Sequence, residues 1–270
     1  MTTALITHDA CYDHVTPNGH PEQVARLDAV LGALRDMDLL RVKAPLGAED
    51  DILLAHPKAH VTAIREAAPN SGWRSLDADT HMSVGTLEAA FRCVGGVTRA
   101  VDMVMGGEAE NAFVAMRPPG HHAERETPMG FCFFGNVAIA AKYAIAHHGL
   151  SRVAIVDFDV HHGNGTQDLV EDDARILFCS THQSPLYPGT GMAHEVGVDN
   201  VVNCPLPEGA GSKAFRDVMA RVAWVTEKLC DLADRHCKGR VVSSLEGGYD
   251  LVALGASAAA HVTVLRERSE

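Results

Sequence analysis

The stretch Val153-Ala-Ile-Val-Asp157-Phe-Asp159-Val-His161-His162-Gly-Asn164-Gly165 decides how the rest of the chain is read. It opens as a β-branched apolar run and passes directly into carboxylates, imidazoles and glycines. In an extended strand, side chains two residues apart point to one side. Asp157, Asp159 and His161 therefore share a face as the strand ends, while Phe158, Val160 and His162 share the other. Working outward, similar apolar runs predict strands over Thr3–Thr7, Ala112–Met116, Ile176–Ser180 and Val241–Leu245. Between them, apolar residues at three-to-four spacing predict helices over Glu22–Arg35, Val84–Met105, Val137–His147, Ser212–His236 and Leu251–Arg266. Alternating strands and helices imply parallel strands with crossover helices. The expected fold class is α/β, a three-layer α/β/α arrangement on a mainly parallel sheet, with residues 1–270 forming a single domain.

Composition narrows the function classes. A chain that is 46% hydrophobic and 21% charged has the balance of a soluble globular protein with a sizeable core. No apolar run reaches the length of a membrane span, and the N-terminus lacks the basic and apolar regions of a signal peptide. The net charge of −12 argues against direct nucleic-acid binding, because no basic stripe is present to neutralise phosphates. The seven cysteines are scattered, odd in number and without a CxxC pair, so they read as free thiols in a reducing, cytoplasmic compartment. Sixteen histidines are many for this length, and their placement matters, since histidine serves as metal ligand and proton shuttle near neutral pH.

They cluster. Ala112–Met116 is followed by Arg117-Pro-Pro-Gly-His121-His122, Ile176–Ser180 by Thr181-His182, and Val241–Leu245 by Glu246-Gly-Gly248-Tyr249-Asp250. Each polar group lies just past the C-terminal end of a strand, the edge of an open parallel sheet where ligands bind. Asp159 and His161 are candidate zinc ligands of the oxygen–nitrogen kind; the alternative is a hydrogen-bonded pair that caps the strand. Asp157, one step further in, either bonds a histidine, holds a monovalent cation with help from Ser180, or is satisfied by backbone N–H groups. The proline turn presents His121 and His122 side by side, and hydrolysis of an amide at a metal needs both a base for water and an acid for the amine. Tyr249 could stabilise a developing oxyanion, or the glycines before it could serve only a tight turn. Phe131 and Tyr187 are either walls of an apolar slot or core residues.

Taken together, Arg117-Pro-Pro-Gly-His-His122, Gly130-Phe-Cys-Phe-Phe-Gly-Asn136, Asp157 to Thr166, Tyr187-Pro-Gly-Thr-Gly191 and Glu246-Gly-Gly-Tyr-Asp250 resemble the histone deacetylase family, in order and over most of the chain. Asn164, the Glu246–Asp250 segment and His20-Pro-Glu22 with Arg26 are similar to its class II branch, which includes bacterial amidohydrolases and acetylpolyamine amidohydrolases. The resemblance implies an arginase-like α/β/α fold and a zinc-dependent hydrolase that removes an acetyl group from a lysine side chain or another amine. It implies Asp159 and His161 as zinc ligands and His121 and His122 as the acid–base pair, bonded to Asp157 and Asn164. It implies Tyr249 as the group that polarises the acyl carbonyl, and Gly130, Phe131, Tyr187 and Gly248 as the lining of the substrate slot. It also implies potassium near Asp157 and Ser180.

One departure stands out. The family supplies a third zinc ligand, an aspartate, from a strand expected between the helix near Phe215 and the helix near Trp224. Here Phe215-Arg-Asp217-Val-Met-Ala-Arg221-Val runs directly into Ala223-Trp-Val-Thr-Glu227, as one helix. The expected consequences are weak zinc binding and a gap or exposed edge in the sheet. A second reading follows, of a catalytically impaired protein that binds acylated amines without turnover. A binuclear, arginase-type site lacks the extra aspartates that two divalent ions would need.

Overall fold

In the computed structural model, which describes residues 2–209 and 214–269 and only the backbone of 214–222, the decisive stretch is a strand that stops at Asp157. In chain order the elements are β1 (Thr3–Thr7), α1 (Ala25–Ala33), β2 (Leu40–Lys43), α2 (Glu49–Ile52) and α3 (Lys58–Ala67). A small antiparallel pair, β3 (Trp73–Ser75) and β4 (His81–Ser83), precedes α4 (Thr86–Gly106), β5 (Asn111–Val114) and α5 (Asn136–His148). Then come β6 (Val153–Asp157), α6 (Asn164–Val170), β7 (Ile176–Gln183), β8 (Val201–Leu206), α7 (Ala214–Cys237), β9 (Val241–Ser244) and α8 (Leu251–Glu267). The predicted start of the α7 helix at Ser212 lies outside the described residues.

All strands except the β3–β4 pair run parallel, and they form two sheets: β2-β1-β5-β9 and β6-β7-β8. The four-stranded sheet is covered on both faces. Ala4, Ile6, Ala112 and Val114 pack with Cys93, Val97, Ala100 and Val104 of α4. Leu5 and Phe113, pointing the other way, pack with Val30 and Leu34 from α1 and its end and with Leu254, Val262 and Leu265 of α8. Three layers result, as the strand–helix alternation requires.

Among the described residues, the three-stranded sheet is covered on one face only. Ile155, Ile176, Phe178 and Val201 are buried with Phe133, Phe134, Ile139 and Leu169. Their neighbours Val156, Leu177, Val202 and Leu206 are between 39% and 47% exposed, an unusual state for parallel strands, which are ordinarily buried on both sides. The division between the sheets falls between β9 and β6, and α7 runs as a single helix across the region where another strand was expected. The anticipated gap is therefore present, as a sheet in two parts. Among the named acids on that helix, the Asp217 side chain lies outside the described residues and Glu227 is exposed.

Candidate active site

The C-terminal ends of β5, β6 and β9 meet and carry the predicted residues to one place. Past β5, Gly120 and His121 donate their backbone N–H groups to Glu246 Oε2 at 2.7 and 3.0 Å. Past β6, Asp159 Oδ2 accepts from Gly247 N at 2.9 Å. The two sheets are thus stitched together at the site by hydrogen bonds between loops. A side chain at Gly247 would place its Cβ 2.4 Å from Asp159 Oδ2, so only glycine allows that approach.

The two histidines are held side by side, ring centres 4.0 Å apart, and both are buried. His121 Nδ1 lies 3.0 Å from Asp157 Oδ2. Burial opposes charge on this ring, but the carboxylates of Asp157 and Asp159 and the Asp157 hydrogen bond prevail and raise its pKa well above the ordinary value. His122 Nδ1 lies 2.7 Å from Asn164 Oδ1. Burial and the neighbouring charge on His121 push its pKa well below the ordinary value. The orientation of the Asn164 amide is fixed from its other end, because Nδ2 donates to Glu124 Oε1 at 2.7 Å. An amide oxygen only accepts, so the His122 proton sits on Nδ1 and the Nε2 lone pair is left free. Two imidazoles with opposed proton affinities are the mark of divided acid and base roles.

Asp159 and His161 form a tight pair: Oδ1 accepts from the backbone N–H of His161 at 2.9 Å and lies 3.0 Å from its Nδ1. Contacts with His121 and His161 overcome burial and hold the Asp159 carboxyl far below the usual range. Asp157 and Ser180 are register partners on β6 and β7. Asp157 Oδ1 accepts from Asp159 N, and Ser180 Oγ lies 2.9 Å from His182 Nδ1.

Aromatic rings stand beside the pair, Tyr187 lying edge-on to His161 at 6.3 Å. Tyr187 meets the His122 ring edge-on at 5.1 Å, and Phe131 meets Tyr249 edge-on at 5.8 Å. Phe131 also packs on His20 at 4.6 Å. Gly130 has φ +55°, and a Cβ there would lie 2.5 Å from the His122 ring, so this turn also needs glycine. Burial raises the Tyr249 hydroxyl's pKa, which keeps it a proton donor. Gly248, also left-handed at φ +97°, sets the path of the chain into that tyrosine.

Sequence reasoning assigned no role to the groups that hold this loop. Arg26, fully buried, donates from Nε to Gly248 O at 2.7 Å and from Nη2 to Glu246 O at 2.5 Å and Gly247 O at 2.6 Å. Its guanidinium lies 5.1 Å from the Tyr249 ring centre, a cation–π contact. Glu22 bridges Arg26 and Arg117, with Nη1 of Arg26 at 2.9 Å and Nε of Arg117 at 2.7 Å. Burial would push the Glu22 carboxyl up, but His14 and Arg117 hold it far below the carboxylate range. Glu246 and Glu124 were equally unassigned, although Glu246 sits where the strand-end rule looks. Burial raises the Glu246 pKa to about 6.

A charged and a neutral imidazole, an Asp–His pair and a half-buried phenol at a sheet edge are the parts of an amide-hydrolase site. The chain belongs to the histone deacetylase family: the profile of the histone deacetylase domain matches residues 20–224. A probable deacetylase of Archaeoglobus fulgidus is 33% identical over 298 residues, covering 93% of this chain and 82% of that protein. A histone deacetylase-like amidohydrolase of Pseudomonas aeruginosa is 34% identical, over 85% of this chain and 71% of its own length. Among solved structures, the HD domain of HDA15 superposes with a TM-score of 0.89 at 29% identity, covering 98% of this chain and 88% of the other. The Archaeoglobus alignment, at 298 positions, is longer than this 270-residue chain, so that relative carries residues that have no counterpart here.

Proposed function

We propose that the slot takes an acetylated amine, either a lysine side chain or a small amine, and that the residues around it are arranged to handle protons in cleavage of the amide. The observation that carries this reading is the pair of imidazoles with opposed proton affinities beneath an aromatic slot that also contains Tyr249. In it, the flat acyl-amide group lies between Phe131 and Tyr187, and Tyr249 donates its hydroxyl proton towards the acyl oxygen. His122, neutral and with Nε2 free, is the base for an attacking water. His121, held charged by Asp157, favours negative charge building up on the substrate beside it.

Zinc is the cofactor that the family resemblance implies. Asp159 and His161 offer one oxygen and one nitrogen donor, where catalytic zinc sites are ordinarily built on three protein ligands. Among the described residues no group of three metal-ligating side chains comes together. The donors present do not fit a catalytic zinc, and no step is assigned to it. Potassium, also implied, would lie beside Asp157 and Ser180, whose side chains already have protein partners.

A panel of acetylated lysine peptides and acetylated polyamines, assayed for binding and for acetate release with and without added zinc, tests the reading. His122→Ala should lower any turnover by about a hundredfold or more, as loss of a general base does, and Tyr249→Phe should weaken binding of the acyl group. Unchanged binding and turnover in both variants would sink the assignment.

A further inference from the structure

The site contains a carboxylate, a histidine and an aromatic slot, and these do not depend equally on a metal. Asp159 is already engaged by the chain. Its Oδ1 accepts the backbone N–H of His161 and lies 3.0 Å from the ring Nδ1, and its Oδ2 accepts the Gly247 N–H. Both carboxylate oxygens thus already hold a donor. The two donors are backbone amides, which are neither titrated nor easily turned away.

Among the described residues, the rest of the wall offers no replacement ligand. His121 is bound to Asp157 and His122 to Asn164, and the β9 side presents Gly247 as backbone. The place from which another donor would come is the division between β6 and β9, where the sheet is interrupted. By contrast, the aromatic walls are packed in two pairs, Tyr187 edge-on to His122 and Phe131 edge-on to Tyr249, and Arg26 with Glu22 fixes the Tyr249 loop from behind.

We propose that this chain is a receptor for acylated amines whose site is closed without a divalent metal: Asp159 is satisfied by N–H donors of the chain, and the acyl slot stays formed with no zinc held. The proposal rests on the acyl-amine reading of the slot. It separates two properties that a metallohydrolase couples, recognition of the acyl group and retention of the ion.

The test uses the full chain. Zinc content is measured by mass spectrometry after purification, and zinc is titrated calorimetrically against a competing chelator. In parallel, an acetyl-lysine peptide and an N-acetylated diamine are titrated before and after treatment with EDTA, with thermal unfolding followed as a second readout of binding. The expected result is sub-stoichiometric zinc, with ligand affinity and a ligand-induced rise in Tm unchanged by EDTA. One zinc per chain held against a micromolar chelator would overturn the proposal, as would ligand binding that disappears on chelation. Absence of binding by either probe, with and without zinc, would instead reject the acyl-amine reading on which it stands.

Discussion

The Asn164 amide is oriented from both ends, by His122 at its oxygen and by Glu124 at its nitrogen. That arrangement leaves His122 facing a neutral acceptor, while His121 faces a carboxylate. Asn164→Asp replaces the acceptor with a charged one, so the protonation midpoint of His122 should rise, as followed by NMR of the imidazole; an unmoved midpoint would show that Asn164 does not tune it. Gly130→Ala combines a left-handed backbone with a Cβ in the His122 ring. Chemical denaturation should show a loss of about 1–3 kcal/mol, together with weaker binding of acetylated ligands. At this scale much was legible in the sequence: Asp157 closes β6, and Asp159, His161, His121, His122 and Tyr249 sit past strand ends, where charge and glycine interrupt apolar runs. What stayed hidden was pairing over long range. Nothing local says that Glu124 turns the Asn164 amide, or that Gly247 N–H meets Asp159.

Among the elements, the loop after β9 depends on α1. Three consecutive carbonyls, of residues 246 to 248, accept from a single guanidinium on Arg26, which is itself neutralised by Glu22. Arg26→Ala should cost about 3–5 kcal/mol, because it leaves the buried Glu22 short of a partner, and Arg26→Lys should not restore the three-way contact; urea unfolding of both variants measures this. The strands differ too. β1 and β5 pair on both sides, whereas among the described residues β6 pairs only with β7. Amide exchange should therefore be slowest in β1 and β5 and faster along β6, and equal protection would contradict an interrupted sheet. The strands foreseen from sequence were the apolar ones. β8 was not, because Pro205 lies inside it and argues against a strand, and its position at the sheet edge is what makes proline tolerable. β2, with Arg41 and Lys43 alternating, is an equally polar edge. The short α6 was hidden because its first residues, Asn164 and Gly165, read as a turn.

For the molecule as a whole, burial of neutral histidines sets its response to acid. Burial, with the nearby His60, lowers the pKa of His56 to about 3, and burial lowers that of His261 to about 4. The unfolded chain takes up these protons near the ordinary value of 6.5, so the stabilisation is full above that pH and is lost as pH falls towards 4 and then 3. His121 does not offset this loss, since a raised pKa contributes its stability below 6.5 and loses it only as pH rises. The urea midpoint should fall steadily between pH 6.5 and 4; a flat profile would contradict the neutral, buried state of these rings. Three layers and a parallel sheet could be read from strand–helix alternation, and the broken sheet from the missing segment. The partition into four strands and three could not, because it depends on which edges meet in space. The Arg26 clamp has a further consequence for the chain as it is made. Its contacts span up to 222 residues of sequence, so the tyrosine loop cannot take its final shape until residues 246–248 have left the ribosome. A ribosome-bound chain stopped before β9 would hold Arg26 against Glu22 with no carbonyls to accept its remaining N–H groups, and the tyrosine side of the site would be set only after β9 emerges.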